Sequence, residues 1–292
     1  MNHDKKSKII QYYDQEADEY SDLYDEPLLK QEFYPANAIR LEIILDRLKE
    51  LGCKTLLDVG CGSGLPLVRF NKAGLDAQGF DFSPKMVEAA RSTLRDHDLS
   101  PERAFEGDLE RRETLPTSTF DAIVATGVFP HNLDDAAAYR NLRDLLAPDG
   151  VAMIEYRNAL MSLFSLNQYG EPFFWNDLMR ADDLPEALRE DTRQFMAEKF
   201  GTAVERVGRP RDIEYTDILA RFHNPLTLPG ELEQRHGLKV VGIHYYHFHA
   251  APPHLEKQHK KAFWEASLKM ERTGDWRAMF LCSAFIAEIR KL

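Results

Sequence analysis

The chain holds 292 residues, with 37 Lys and Arg against 48 Asp and Glu, a formal net charge of −11. Acids and bases are interspersed, which argues against a phosphate-tracking surface and so against nucleic acid as a partner. At 43% hydrophobic and 29% charged residues the composition is that of a globular chain, long enough for one large domain or one domain plus a cap; disordered and collagen-like classes are excluded.

The N-terminal stretch MNHDKKSKIIQYYDQEADEY has only the apolar step Ile9–Ile10 behind its basic residues, short of a secretory h-region. The longest apolar stretch, Met279 to Ala287, is about half of a membrane span. Cys53, Cys61 and Cys282 have no CxxC spacing, which speaks against a disulfide framework and against structural zinc. The expectation is a cytoplasmic protein with no membrane attachment. Residues 1–50 read as helical, an aromatic-rich piece before Pro27 preceding an amphipathic one from Ala36 to Leu51.

From Thr55 to Arg157 short β-branched runs alternate with amphipathic stretches, the pattern of βαβ units and a parallel sheet. Predicted strands are Thr55–Val59, Asp76–Asp81, Ala104–Glu106, Phe120–Thr126 and Val151–Arg157. Helices are expected over Leu65–Ala73, over Pro84 to His97 with Ser83 as N-cap, and over Ala136–Leu146, ending at the stop signal Ala147-Pro148-Asp149-Gly150. From Ala159 to His236 the pattern is helical, aromatic-rich and broken by glycine and proline. The sheet then resumes with Leu238–Phe248, a helix over Leu255–Glu271 and a last strand over Met279–Ile289. The expected architecture is a single α/β domain with a long insertion after its fifth strand.

Asp58-Val59-Gly60-Cys61-Gly62-Ser63-Gly64 follows a strand and opens a helix. Such a turn lets backbone N–H groups approach a ligand without Cβ clashes, at a helix N-terminus on the carboxyl side of the sheet. The GxGxG spacing, with Leu65 where a dinucleotide fingerprint has Gly or Ala and with Asp58 in an otherwise apolar strand, disfavours NAD or FAD. LLDVGCGSG resembles the first motif of the class I S-adenosylmethionine-dependent methyltransferases, small-molecule type. Gly79-Phe80-Asp81-Phe82-Ser83-Pro84-Lys85-Met86 resembles their second-strand motif, Glu106-Gly107-Asp108-Leu109 their third, and Phe120 to Thr126 their fourth strand.

The resemblance implies an α/β fold: a Rossmann-like, seven-stranded, mostly parallel sheet with helices on both faces, N-terminal lid helices and a helical cap inserted after the fifth strand. It implies lid helices over 1–50, the S-adenosyl-L-methionine-binding core over 51–158 and 236–292, and a substrate cap over 159–235. It further implies that Asp81 holds the ribose hydroxyls and Asp108 the adenine amino group. The cofactor set expected on this basis is Tyr13, Tyr20, Asp58, Gly60, Cys61, Gly62, Gly64, Asp81, Phe82, Ser83, Met86, Asp108, Leu109, Thr126 and Gly127. Tyr12, Tyr13, Tyr20 and Tyr24 either close over the cofactor as a lid or pack the first helix onto the domain.

The function implied is methyl transfer to an oxygen or nitrogen of a small-molecule acceptor, because the motifs of base-amino and arginine methylation are missing. Glu155, in particular, has no partner glutamate. Candidate bases are His131, after the fourth strand, and His247 and His249, which period-two alternation places on one face with Tyr245, opposite His244, Tyr246 and Phe248. The histidine cluster is open to substrate binding, base catalysis or a structural role; no metal is expected, since no acid–histidine pattern completes a site. The inserted segment is either a substrate cap or a homodimerisation element. Its Phe173-Phe174-Trp175 and Phe222-His223-Asn224-Pro225 stretches are suited to an aromatic or saccharide acceptor, and a faint similarity points to methyltransferases of bacterial surface saccharides or sugar nucleotides. A catalytically silent binding module of the same fold is the remaining alternative.

Overall fold

A computed structural model of the chain describes residues 6–14, 34–166, 170–179, 184–199, 218 and 221–292. The expectations placed on Tyr20 and Tyr24 lie outside these residues. Eight strands form one sheet: β1 Thr55–Val59, β2 Asp76–Asp81, β3 Ala104–Glu106, β4 Phe120–Ala125, β5 Leu146–Asn158, β6 Phe222–His223, β7 Leu238–Phe248 and β8 Cys282–Lys291. Their order is β3-β2-β1-β4-β5-β8-β7, with β6 joining β5.

The apolar runs of β1 and β4 are buried at nearly every position because helices cover both faces of a parallel sheet. One core holds Leu57, Val59, Ile123, Ile154 and Tyr156 under helix Asp135–Leu145; the other holds Leu56, Val124, Met153 and Ile286 under helix Ala36–Glu50. β8 runs antiparallel between β5 and β7. That central position explains its continuous apolar run, whereas the edge strand β7 exposes Val241 at a register shift between Val240 and Gly242.

Three boundaries differ from the sequence pattern for local reasons. β5 begins at Leu146, not Val151, since Leu146 pairs with Phe120 and the Ala147–Gly150 stretch bulges out before pairing resumes at Ala122 and Val151. A Cβ on Gly150 would stand 2.9 Å from the Phe120 carbonyl oxygen, so the bulge needs glycine there. Residues Ala278–Leu281 form a helical turn, and the last strand starts only at Cys282. Asp275 starts that turn by accepting the Arg277 N–H at 2.9 Å. Finally, an eighth strand exists because Phe222 and His223, in the inserted segment, pair in parallel with Arg157 and Asn158 at the tip of β5. Arg221 fixes this return, donating to both carboxylate oxygens of Asp135 at 2.5 and 2.6 Å.

Elsewhere in the insertion, Phe173 and Phe174 are buried against Ala159 and Leu160, so their rings serve a local core and are not open to stack on a ligand. Trp175 is partly exposed, under the Arg193 guanidinium at 5.4 Å. The His223 ring packs on Tyr156 at 4.7 Å, and burial, with Arg221 adding to it, pushes its pKa down to about 4.

Candidate active site

The turn after β1 is shaped by glycines that no other residue could replace. Gly60 has φ +70°, and a Cβ there would stand 2.6 Å from Val128 Cγ2; Gly64, at φ +84°, lies 2.9 Å by the same measure from the Ala90 backbone. The chain can therefore pass directly from β1 into helix Leu65–Lys72, with the Gly60 and Cys61 N–H groups donating to the Phe80 carbonyl at 2.8 and 3.0 Å. β1 and β2 thus end level with one another.

At the tip of β2 the Asp81 carboxylate accepts the Gly62 N–H at 3.1 Å and the Ser83 N–H at 2.9 Å. Burial nevertheless pushes its pKa up to about 6, those amides working in the opposite direction. Ser83 caps helix Pro84–Asp96 by accepting the Met86 N–H at 3.1 Å, and its hydroxyl donates to Asp14. After β3, Asp108 accepts the Glu110 N–H at 3.0 Å and is ion-paired with Lys6. Glu110 accepts the Leu133 N–H at 2.7 Å, tying the segments that follow β3 and β4.

These carboxyl ends surround one cavity. Gly60, Gly62, Asp81, Phe82 and Met86 line one side of it, Asp108, Leu109 and Glu110 another, and Thr126, Gly127, Val128, His131 and Asn132 a third. Helix 6–14 closes it with Lys6, Ile9 and Tyr13. The Tyr13 ring meets Phe82 edge-on at 6.1 Å and the His131 imidazole at 5.8 Å. His131 itself is buried on the single turn Phe129–His131 after β4.

Asp58, Cys61, Gly64 and Ser83 do not line this cavity. Gly64 and Ser83 start the two flanking helices, and Cys61 is buried with its thiol pKa raised by burial. Asp58 points to the opposite face of β1, into a smaller void beside Arg40, Val124 and Thr126. Its Oδ2 is buried without a hydrogen-bond partner. Burial pushes its pKa up to about 8, against the attraction of Arg40 and with a further push from Asp81.

His247 and His249 do not line the cavity either, and strand alternation breaks between Tyr246 and Phe248 because His247 has φ +61°. The His247 ring stacks on Tyr34 at 4.9 Å and meets the tilted His249 ring at 4.6 Å, with Nδ1 2.8 Å from Ser283 Oγ. Burial depresses both imidazoles, His247 well below the ordinary value with the neighbouring His249 adding to it. Among the described residues no group of three or more His, Cys, Asp or Glu could hold a metal ion. No helix among them is long and apolar enough to cross a membrane.

Residues 57–152 match the family model described as a methyltransferase domain. A ubiquinone biosynthesis O-methyltransferase of Actinobacillus pleuropneumoniae serotype 5b (strain L20) is 27% identical over 196 residues, covering 65% of this chain and 79% of the relative. Another, of Xanthomonas axonopodis pv. citri (strain 306), is 26% identical over 180 residues, covering 59% and 73%. The match places a methyltransferase domain in this chain.

The methyltransferase shares its fold with a magnesium protoporphyrin IX methyltransferase from Synechocystis PCC 6803 with bound SAH, at a TM-score of 0.56, 14% identity and coverage of 98% of this chain and 100% of that one. A methyltransferase from Clostridium acetobutylicum ATCC 824 superposes at 0.54 with 10% identity, covering 94% and 98%. The residues present fit S-adenosylmethionine as a methyl donor. A buried acid faces the cavity at the tip of β2, and a second follows β3. A sulfonium compound carrying an ammonium group suits such an acidic surround.

Lys6, Ile9, Glu110, Val128 and Asn132 line the methyltransferase cavity without having been singled out by the sequence pattern. For Val128 and Asn132 a signal existed, their place beside His131 after the fourth strand. For Lys6 none did, because its carboxylate partners lie more than a hundred positions away.

Proposed function

We propose that the cavity binds S-adenosylmethionine and that the enzyme methylates an oxygen of a small-molecule acceptor. The observation that carries this is the joining, in one cavity, of the glycine turn, Asp81 and Asp108 at one side and His131 at the other. Oxygen is favoured over nitrogen because the curated relatives are O-methyltransferases by name.

In this reading Asp81 accepts from the ribose hydroxyls, Asp108 from the adenine amino group, and Gly60 and Gly62 lie against the amino-acid end. The donor supplies an electrophilic sulfonium methyl group for in-line displacement with a neutral thioether leaving. Alignment and exclusion of water are then the chain's main tasks, worth up to about 7–11 kcal/mol in well-oriented systems. Tyr13 and Ile9, on helix 6–14, keep water out. His131 takes the proton of an acceptor hydroxyl at a ring nitrogen as the methyl group transfers. His247 and His249, packed away from the cavity, support the end of β7.

The test is a methyl-transfer screen with S-adenosylmethionine across paired hydroxyl and amine acceptors, product identity read by mass spectrometry. O-methylated products are expected. Products methylated only on nitrogen would overturn the choice of atom, and no turnover with intact cofactor binding would favour a catalytically silent module.

A further inference from the structure

Glu110 lines the cavity, and its two carboxylate oxygens serve different segments of the chain. Oε1 accepts the Leu133 N–H at 2.7 Å and the Asp134 N–H at 3.3 Å, directly after the turn Phe129–His131. Oε2 accepts from Lys6 Nζ, on helix 6–14, at 3.2 Å. The Glu110 N–H in turn donates to Asp108 Oδ1 at 3.0 Å, and Lys6 is also paired with Asp108 Oδ2. Helix 6–14, the segment after β3 and the segment after β4 thus meet on one acid.

Both oxygens of Asp108 are taken in this arrangement, yet Asp108 is the acid assigned to the adenine amino group. Lys6 stands on Oδ2, and Oδ1 carries the Glu110 amide. A ligand amino group that claims Asp108 displaces the ammonium, and Glu110 Oε2 is the acceptor already within reach of it. Lys6 can therefore change partners without helix 6–14 leaving the cavity. Once Lys6 rests on Oε2, the Glu110 carboxylate is held at both oxygens and cannot swing off the Leu133 and Asp134 amides. The turn ahead of them is fixed from its other side by Arg221, whose Nη2 donates to the Phe129 carbonyl and whose N–H donates to the Pro130 carbonyl, each at 3.0 Å. His131 closes that turn and meets Tyr13 of the same helix edge-on at 5.8 Å.

We propose that Glu110 is a positioning residue for methyl transfer: it takes Lys6 when the cofactor occupies Asp108, keeping helix 6–14 closed, while its other oxygen holds in place the turn that carries His131. The inference rests on the reading that this cavity holds the cofactor. A merely structural bridge would stabilise the three segments alike and would be indifferent to what occupies Asp108.

The experiment uses the full chain and S-adenosylhomocysteine as the probe. E110Q keeps an acceptor oxygen for the Leu133 and Asp134 N–H groups but turns an NH2 group towards Lys6. It is expected to release the probe about two- to fivefold faster in stopped-flow, the size of a partly exposed ion pair, with the Leu133 amide and His131 imidazole resonances unmoved. In K6M/E110Q release should be no faster than in K6M, because the partner is already gone. E110L removes both acceptors, so the Leu133 amide proton should move upfield and the His131 ring resonances should shift as well. A wild-type release rate in E110Q, additive effects in the double variant, or unmoved Leu133 and His131 resonances in folded E110L would each overturn the proposal. Should E110L not fold, amide exchange replaces it: the probe should slow exchange at Leu133 by about tenfold in wild type and by less than about twofold in K6M, and equal slowing in both would overturn the coupling. Absence of probe binding to wild type would instead overturn the cavity reading.

Discussion

The Gly62 N–H donates to Asp81 Oδ2 over 3.1 Å, so the glycine turn after β1 and the tip of β2 are held as one unit. Asp81→Ala removes the acceptor of the Gly62 and Ser83 amides as well as the group assigned to the ribose. Leaving buried donors unpaired costs about 1–3 kcal/mol each. The variant is expected to melt lower and to bind S-adenosylmethionine more than about tenfold more weakly by calorimetry. Asp81→Asn, which keeps one acceptor oxygen, should recover most of the stability but not the affinity. Unchanged affinity in both would mean that the ribose is held elsewhere.

Asp58 makes stability without ligand depend on pH. Its folded-state pKa, pushed up to about 8 by burial against an ordinary 3.8, means that the folded chain keeps a proton the unfolded chain has released. The contribution is fully present below the unfolded value and is lost as pH rises towards 8. Denaturant midpoints should therefore fall from pH 5 to pH 8, and Asp58→Asn should flatten that slope and be the more stable protein at pH 8. An identical slope in the variant would place the titration on another group.

His131 and the pair His247–His249 should separate in kinetics. His131→Ala is expected to lower turnover on a hydroxyl acceptor by about 10²- to 10⁴-fold, with little change in cofactor affinity. His247→Gln and His249→Gln should lower the melting temperature, because the His247 ring stacks on Tyr34 and the His249 ring packs between His247 and the edge-on Phe263, and leave the pH profile of turnover unshifted. A shifted profile in either would restore that pair as candidate bases.

Lys6 pairs with Asp108 and, at 3.2 Å, with Glu110, and so latches helix 6–14 over the cavity. Because the lysine side chain is 28% exposed, this latch should weaken with salt. Lys6→Met is expected to speed amide exchange in residues 6–14 and to raise the cofactor dissociation rate severalfold in stopped-flow, and high salt should do the same to wild type only. Equal salt sensitivity in the variant would argue against the latch.

Much of the sheet was legible in the sequence because its signals are local. The run Thr55–Val59 followed by GxGxG, the Ser83–Pro84 helix start and the β-branched run of β4 act within a few residues, and β1, β2 and β3 fall where the pattern puts them. The histidines of β7 were misplaced for the opposite reason. Alternation supposes an extended strand, and the backbone turns at His247, where the Tyr34 ring and Ser283 Oγ, both from other elements, meet the imidazole.

By itself, then, the sequence determined a methyltransferase sheet with its glycine turn and its acids at the tips of β2 and β3, since backbone sterics and short-range capping enforce them wherever the chain folds. Only the tertiary structure decided which side chains share a space. Lys6 reaches Asp108 across 102 positions and Arg40 reaches Glu155 across 115, and Asp58 turns away from the cavity that its motif borders. Such pairings have no local signature. They follow from which helix covers which face, and burial then sets the charge each group carries.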